Sequence, residues 1–189
     1  MRKATSADRG RIVDILSSAF DDNKSVNYIV KQDGKRKWRI RRLMEYAFNV
    51  CHAFGKVFLS DENNACALIL LPDKKRTTLR SVWWDNMLIF TCTGIGNLRK
   101  ILSREAKIKA LQPQQPMYYL WFIGVRADEQ GRGAGSKLLK ELIGDSKLES
   151  RCVCLETSTI KNISWYEQFG FVVYDRLDLG YELFFLKKE

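Results

Sequence analysis

The sequence predicts one domain of the α/β (α+β) class. Strand-like runs form hairpin patterns near both ends of the chain, and between them one strand passes through a glycine-rich turn into a helix. Amphipathic helical patterns separate the strands. The 189 residues, 46% apolar and 29% charged, suit a single domain over residues 1–189 with a sizeable core. We therefore expect helices packed against one mixed sheet.

The first 32 residues predict a short strand and an amphipathic helix. Residues 1–4 suit a strand, and Thr5 with Asp8 forms a candidate capping box. The helix that follows places apolar side chains at i, i+3, i+4, i+7 and i+8, namely Ile12, Ile15, Leu16, Ala19 and Phe20. Residues 21–32 are ambiguous and allow a short helix over 26–30.

A clearer second helix spans residues 35–51, and its start is crowded with positive charge. Its apolar stripe consists of Ile40, Leu43, Met44, Ala47, Phe48 and Cys51. The cations at its start are Lys35, Arg36, Lys37, Arg39, Arg41 and Arg42. Positive charge at a helix N-terminus opposes the helix dipole. Two explanations stay open: an anionic partner, such as nucleic acid or an anionic substrate, or a solvated face above a buried stripe.

The middle of the chain predicts a hairpin and then two helical pieces. Residues 55–59 and 65–71 suit strands, and the turn-forming residues 61–64 join them. Residues 73–116 match no motif. Helical patterns around residues 83–90 and 98–109 are separated by a break at 93–97, and residues 112–116 form a loop.

The glycine-rich turn follows an apolar strand over residues 118–125 and precedes a helix that continues to Leu148 in spite of Gly144. The first turn of a helix has N–H groups without internal partners, and glycines let an anion approach them closely. The order Gly135-Ser136-Lys137 does not fit the Walker pattern, and the glycine spacing does not fit the dinucleotide fingerprint. The turn therefore predicts a phosphate cradle of another kind, and the alternative is a turn without a ligand.

The last third of the chain predicts three strands and a helix. The strands cover residues 152–157, 171–177 and 181–187, and the helix covers 162–169. Asn162 is a candidate N-cap of that helix, and Gly170 is a candidate C′ residue after it. Asn162 and Tyr166 are four residues apart and share one helix face.

Two motifs resemble the GCN5-related N-acetyltransferase (GNAT) family. Gln130-Gly131-Arg132-Gly133-Ala134-Gly135 matches its Gln/Arg-x-x-Gly-x-Gly/Ala signature, and Asn162, Tyr166 and the Gly170-Phe171 pair match its later motif. The resemblance implies a largely antiparallel sheet with helices on both faces and two central strands that splay apart. It also implies acetyl-CoA as the acyl donor, with the pantetheine arm pairing near Ile123 and Val125. The cofactor-binding residues that it implies are Ile123, Val125, Gln130, Gly131, Arg132, Gly133, Ala134, Gly135, Ser136 and Asn162.

The resemblance further implies transfer of the acetyl group to a primary amine by direct attack in a ternary complex. Tyr166 matches the family position of the acid that protonates the leaving thiolate. For the general base we select Glu156, because a carboxylate within an apolar strand requires a reason; a strand glutamate paired with a neighbouring cation is the alternative. In this family the segment before the cofactor strand shapes the acceptor pocket, so residues 73–116 are expected on that side. Trp83 and Trp84 are hypothetical lining residues, and core aromatics are the alternative for both.

Composition restricts the remaining classes. No apolar run reaches the length of a membrane-crossing helix, and no signal peptide is evident, so we expect a cytoplasmic protein without a membrane partner. The five cysteines suit reduced core thiols, and the single histidine, His52, is distant from the Cys152/Cys154 pair, so we expect no metal. The net charge of +10 suits an anionic partner. A non-catalytic CoA-binding module and a nucleic-acid-binding protein are the alternatives; the acceptor, and the choice between monomer and homodimer, stay open.

Overall fold

The fold is built on one seven-stranded sheet. The computed structural model describes residues 1–94 and 96–189 with their side chains. The strands are β1 (Arg2–Lys3), β2 (Gly55–Leu59), β3 (Ala65–Leu70), β4 (Met117–Val125), β5 (Cys152–Thr157), β6 (Val172–Asp178) and β7 (Glu182–Lys188). They lie in the order β1-β2-β3-β4-β5-β7-β6, and only the β4–β5 pair is parallel. The predicted class, a mixed and largely antiparallel sheet, is confirmed.

Seven α-helices flank the sheet within the described residues. They are α1 (Arg9–Ala19), α2 (Lys24–Ile29), α3 (Arg36–Phe54), α4 (Leu79–Leu88), α5 (Leu98–Leu111), α6 (Ala134–Leu148) and α7 (Lys161–Glu167). The short helix α2 begins two residues before its predicted start, because Asn23 caps it by accepting a hydrogen bond from the Val26 N–H at 3.0 Å. Helix α3 runs about one turn beyond its predicted end.

Helices cover both faces of the sheet. Helices α1 and α3 pack over β2, β3 and β4 on one face, and α5 covers β7 on the same side through Ile108, Leu183 and Phe185. Helices α6 and α7 cover the opposite face, where Leu138, Leu142 and Tyr166 pack against β4 and β5. Each face therefore has its own apolar core, as the sequence predicts.

The segment between β3 and β4 contains both predicted helical pieces, but α4 begins earlier than its predicted pattern. Helix α4 is followed at once by a π-helical turn, Ile89–Thr93, which ends at Gly94 with φ +73°. Helix α5 then runs to Leu111. The break predicted at residues 93–97 is therefore present, and the glycine in it adopts a backbone conformation that other residues rarely adopt.

The two ends of α7 correct one predicted cap and confirm another. Asn162 lies inside the first turn of α7, and Ile160 occupies the N-cap position, so the predicted N-cap role of Asn162 is wrong. Gly170 has φ +79° and donates to the Glu167 carbonyl at 2.8 Å, while the Phe171 N–H reaches the Tyr166 carbonyl at 3.3 Å. These bonds form a Schellman motif in which Gly170 is the C′ residue.

The two central strands splay apart. Strand β4 pairs with β5 only over Met117–Tyr119, which face Cys152–Cys154. Beyond Tyr119, β4 continues along β3 with an extra residue at Trp121, and β5 continues along β7. A gap therefore opens in the middle of the sheet between Leu120–Val125 and Leu155–Thr157.

The positive start of α3 is largely neutralised within the chain. Arg36 pairs with Asp21 at 2.7 Å, Arg39 with Asp33 at 2.7 Å, and Arg42 with Glu45 at 2.7 Å. Arg41 pairs with Asp14. These contacts offset the unfavourable position of the charges in the helix dipole, and they remove the main reason for assigning an anionic partner to this helix.

The remaining sequence predictions concern thiols and membranes. All five cysteines are free, and the Cys152 and Cys154 sulfurs lie 3.7 Å apart on the same side of β5, as predicted. Across the described part of the chain, none of the helices has both the length and the apolar character needed to cross a bilayer.

Candidate active site

A cavity of about 1250 Å³ passes through the gap between β4 and β5. On the α6/α7 face its wall includes the glycine turn, Asn162 and Tyr166. On the α1/α5 face its wall includes Tyr119, Glu156 and residues of α2 and α5. The split in the sheet thus connects two chambers, one on each face.

The glycine turn forms one rim of the first chamber. Gly131 and Gly133 have φ values of +77° and +85°, and a methyl group built on either would meet no heavy atom within 4 Å. The Lys137 N–H donates to the Gly133 carbonyl at 2.9 Å, so the N–H groups of Ala134, Gly135 and Ser136 precede the first internal bond of α6. Open space beside free helical N–H groups fits an anionic group such as a phosphate.

Gly135 has a different reason for being glycine. A Cβ on Gly135 would lie 3.2 Å from Val125 Cγ2 and 3.8 Å from Trp165 Cζ2. The residue therefore lets α6 approach β4 and α7 closely. Trp165 also donates from its indole Nε1 to Ser136 Oγ at 3.1 Å, which fixes the Ser136 side chain at the rim. The Trp165 contact carries no local sequence signal, because the two residues lie 29 positions apart.

The predicted cofactor-binding residues lie around the first chamber, with one difference. The lining includes Ile123, Val125, Gln130, Gly131, Gly133, Ala134, Gly135, Ser136 and Asn162. Gln130 reaches back and donates to the Val125 carbonyl at 3.3 Å. The exposed Arg132 guanidinium instead contacts Glu129 at 3.3 Å and lies outside this lining.

The free edge of β4 presents backbone groups to the gap. The Arg126 N–H donates to the Asn64 carbonyl at 2.8 Å, on the β3 side. Because antiparallel strands alternate between bonded and non-bonded pairs, Gly124 and Phe122 also bond to β3. The N–H and C=O groups of Ile123 and Val125 therefore point the other way, into the gap, where an extended ligand can pair with them.

Tyr166 lies beneath the gap on the α7 side. Its ring packs against Trp165 and Phe171 with centroid distances of 4.7 and 5.5 Å. Its hydroxyl has no hydrogen-bond partner among the described residues, although the residue lines the cavity. Burial raises the pKa of the Tyr166 phenol well above its ordinary value, so the group stays protonated at neutral pH.

Glu156 lies on the other side of the sheet, at the wall of the second chamber. Its Oε1 accepts a hydrogen bond from Gln112 Nε2 at 3.0 Å, and its Oε2 accepts one from the Tyr119 hydroxyl. Burial raises the pKa of Glu156, while both hydrogen bonds lower it less strongly. The alternative from the sequence, direct pairing with a lysine or arginine, is not what the side chain does; two neutral donors hold it.

The second chamber contains residues that the sequence did not single out. Arg104 is buried, and its guanidinium donates to Ser25 Oγ at 2.5 Å and to the Tyr181 hydroxyl at 3.2 Å. These bonds connect α5 to α2 and to the turn before β7. Because Ser25 and Tyr181 are 79 and 77 positions away in the sequence, no local pattern indicated the contact.

The hypothesis that Trp83 and Trp84 line the acceptor side is wrong. The Trp83 side chain is exposed to solvent, and Trp84 packs against the core beneath α4. Neither tryptophan lines the cavity, although Lys75 and Leu88 from the same part of the chain do. For Trp84 the alternative of a core aromatic holds. Residues 73–116 also contribute Ile101, Arg104 and Glu105 to the lining.

Residues 94–173 match the model of a protein family described as acetyltransferase (GNAT) domain. The matched range contains β4, the glycine turn, β5 and Tyr166. Together with the fold, this match confirms the resemblance to the GNAT family that the two motifs predict.

Solved structures with the same fold cover nearly the whole chain. The histone acetyltransferase HPA2 and related acetyltransferase from Corynebacterium glutamicum superposes with a TM-score of 0.74 at 21% identity, over 99% of this chain and 93% of that one. The C-terminal condensation domain of Ebony, in complex with beta-alanyl-dopamine, has a TM-score of 0.74 at 10% identity, over 100% and 97%. The polyamine N-acetyltransferase of Drosophila melanogaster has a TM-score of 0.65 at 10% identity, over 100% and 98%. At these identities the likenesses show that the chain shares its fold with these proteins.

Proposed function

We propose that this protein is an N-acetyltransferase that moves the acetyl group of acetyl-CoA to a primary amine. The observation that carries the proposal is the cavity through the split sheet, which joins the glycine turn at the start of α6 to a chamber that contains the buried Glu156 carboxylate. A donor on the α6/α7 side and an acceptor on the α1/α5 side would meet in the gap. Direct attack in a ternary complex requires such an arrangement.

Acetyl-CoA fits the first chamber by its chemistry. Its pyrophosphate suits the N–H groups at the start of α6, and its extended pantetheine arm suits the N–H and C=O groups of Ile123 and Val125. Bound there, it supplies an acetyl group activated as a thioester. The gap-facing N–H groups of β4 would stabilise the negative charge that develops on the thioester oxygen.

The side chains on the two faces then have separate tasks. A primary amine is mostly protonated at neutral pH, since its pKa is about 10.4 in a lysine-type side chain. Glu156 would accept a proton from the ammonium group, directly or through water, because only the neutral amine can attack the thioester. The nitrogen loses its second proton after the C–N bond has formed, and this proton replaces the one that Tyr166 gives to the sulfur. Tyr166 would donate its phenolic proton to the sulfur as the C–S bond breaks, which gives the amide and free CoA.

Calorimetric titration with acetyl-CoA, with NAD as a control, tests the donor. We expect roughly stoichiometric binding of acetyl-CoA and none of NAD. If acetyl-CoA does not bind at any practical concentration, the glycine turn is only a turn and the proposal fails.

A transfer assay tests the reaction. Free thiol is measured as it is released from acetyl-CoA in the presence of panels of small amines, peptides and polyamines. Binding of acetyl-CoA without transfer to any amine would favour a non-catalytic CoA-binding module instead. We expect this reaction in the cytoplasm, from a monomer or a homodimer.

A further inference from the structure

The outer face of α4 is apolar and has no partner within the described structure. Leu79, Val82, Trp83 and Met87 lie at i, i+3, i+4 and i+8, so they share one side of the helix, and Phe90 in the π-helical turn extends the stripe. Leu79 is 93% exposed, Trp83 64% and Phe90 63%. A monomeric protein seldom leaves such a continuous apolar surface in water.

The inner face of the same helix is already used. Trp84 and Leu88 pack against the core over α3, and Asp85 accepts a hydrogen bond from the Tyr46 hydroxyl at 2.7 Å. Helix α4 is therefore apolar on both sides, which is typical of a helix that is covered on both sides. The contacts within the chain account for one side only.

Positive charge lies at the N-terminal end of the exposed stripe. Lys74, Lys75, Arg76 and Arg80 are all exposed, and none has a carboxylate within 4.0 Å among the described side chains. By contrast, the four arginines at the start of α3 have acidic partners. The acidic residue of α4, Asp85, faces Tyr46 and not the stripe.

We propose that this face of α4, with the cations from Lys74 to Arg80, binds the surface of an anionic lipid bilayer. Trp, Phe and Leu side chains in the interface, flanked by Lys and Arg, are the combination that holds a helix in the plane of a membrane. The absence of a long apolar run argues only against a helix that crosses the bilayer. A second copy of the chain is a poorer occupant, because it would bring two unpaired cation clusters together.

The surface meets the acceptor side of the cavity at Lys75, but the apolar stripe itself lies outside the cavity lining. Lys75 and Leu88 line the second chamber, whereas Trp83 and Phe90 do not. Substitutions at the stripe should therefore leave acetyl transfer in solution unchanged, so this inference can fail or hold independently of the proposed function.

Co-sedimentation with vesicles tests the inference. One set contains phosphatidylcholine alone, and the other contains phosphatidylcholine with phosphatidylglycerol. We expect binding to the second set, weakened by added salt. The double variant Trp83→Ala/Phe90→Ala should bind at least tenfold more weakly, because two large apolar side chains no longer enter the interface. Arg76→Gln/Arg80→Gln should bind roughly 30-fold more weakly, at about 1 kcal/mol per cation.

Matched control variants distinguish binding through the stripe from nonspecific adsorption to vesicles. Leu148 is 87% exposed on α6, so Leu148→Ala removes an exposed apolar side chain elsewhere, and Lys140→Gln/Lys147→Gln removes two charges elsewhere. Both controls should bind vesicles like the parent. Binding that is equal for both lipid compositions, or lost equally in the controls, contradicts the inference. So does a dimer in analytical ultracentrifugation that Trp83→Ala disrupts, which would make a second copy the occupant.

Discussion

At the scale of single residues, removal of the Tyr166 hydroxyl distinguishes a structural role of the ring from a catalytic role of the oxygen. Its ring contacts with Trp165 and Phe171 do not need the oxygen, and the oxygen has no partner among the described residues. Tyr166→Phe should therefore retain the melting temperature while kcat falls roughly 100-fold or more, as for loss of a general acid. Affinity for acetyl-CoA, measured by calorimetry, should hardly change. An unchanged kcat would remove Tyr166 from the mechanism.

The raised pKa of Tyr166 predicts how this residue affects the pH dependence of kcat. Because burial holds the phenol protonated well beyond its ordinary range, Tyr166 should contribute no alkaline decline to kcat within the usual assay range. A decline that is present in the parent and absent from Tyr166→Phe would contradict this.

Substitution of Glu156 should change activity and stability in opposite directions. Its folded pKa is raised by burial, so the folded protein binds more protons than the unfolded chain between the two pKa values, and stability falls as pH rises through the folded pKa. Glu156→Gln removes this titration. Relative to the parent, the variant should gain stability as the pH rises, while kcat drops roughly 100-fold or more.

The measurement is the free energy of unfolding of both proteins at several pH values, together with the pH profile of kcat. In the parent, kcat should fall as acid protonates Glu156, and the variant should lack that limb. The amide introduced by Glu156→Gln retains an acceptor oxygen for Tyr119 or Gln112, which makes this substitution the conservative one. Loss of stability at high pH with full activity would instead assign Glu156 a purely structural role.

Gly133 at the N-cap of α6 and Gly144 inside α6 differ in whether the backbone requires glycine, and alanine variants test this difference. Gly133, at the N-cap, has φ +85°, so Gly133→Ala should cost about 1–2 kcal/mol of stability and also weaken acetyl-CoA binding. Gly144, inside the helix, faces open space, so Gly144→Ala should add about 0.5–1 kcal/mol and leave binding unchanged. Denaturant unfolding and calorimetry on both variants check this. Equal effects at the two positions would contradict the assignment.

Elements with a complete local signal were predicted closely. Strands β2 and β5 have the predicted bounds, since their apolar runs end at turn residues or charges. Gly170 was placed correctly because a left-handed C′ position selects glycine strongly. The predicted bounds of α2 differ from the observed ones because a six-residue helix has too few apolar positions to fix where it begins and ends. The Asn23 cap fixes its start.

Elements whose placement depends on distant contacts were not predictable in the same way. An apolar periodicity cannot tell which of the two faces of α4 packs on α3. The sequence therefore leaves Trp83 and Trp84 open between the pocket and the core, and only Trp84 packs against the core. The sequence also gives no sign that Arg104 reaches Ser25 and Tyr181, or that Tyr119 holds Glu156. Of the site, the rim of the cradle and Tyr166 follow from local motifs, and the wall of the second chamber follows from tertiary packing.

At the scale of the whole molecule, the split sheet leaves β4 without a strand partner on its β5 side beyond Tyr119. The first three residues of β4 bond to β5, and the following residues bond only to β3 on their other side. A ligand that pairs with this free edge and bridges to the start of α6 would connect both sides of the gap. Binding to the folded form alone stabilises it, by about 2.7 kcal/mol at a ligand concentration roughly 100-fold above Kd.

Bound acetyl-CoA should protect individual amides of β4. The N–H groups of Ile123 and Val125 point into the gap, whereas those of Phe122 and Gly124 bond to β3. Acetyl-CoA should therefore slow hydrogen exchange at Ile123 and Val125 by nuclear magnetic resonance and change Phe122 and Gly124 much less. The melting temperature should rise by roughly 5–10 °C under the same saturation. Uniform slowing at all four amides would indicate global stabilisation without strand-like pairing, and slowing at Phe122 and Gly124 alone would place the ligand on the wrong edge of β4.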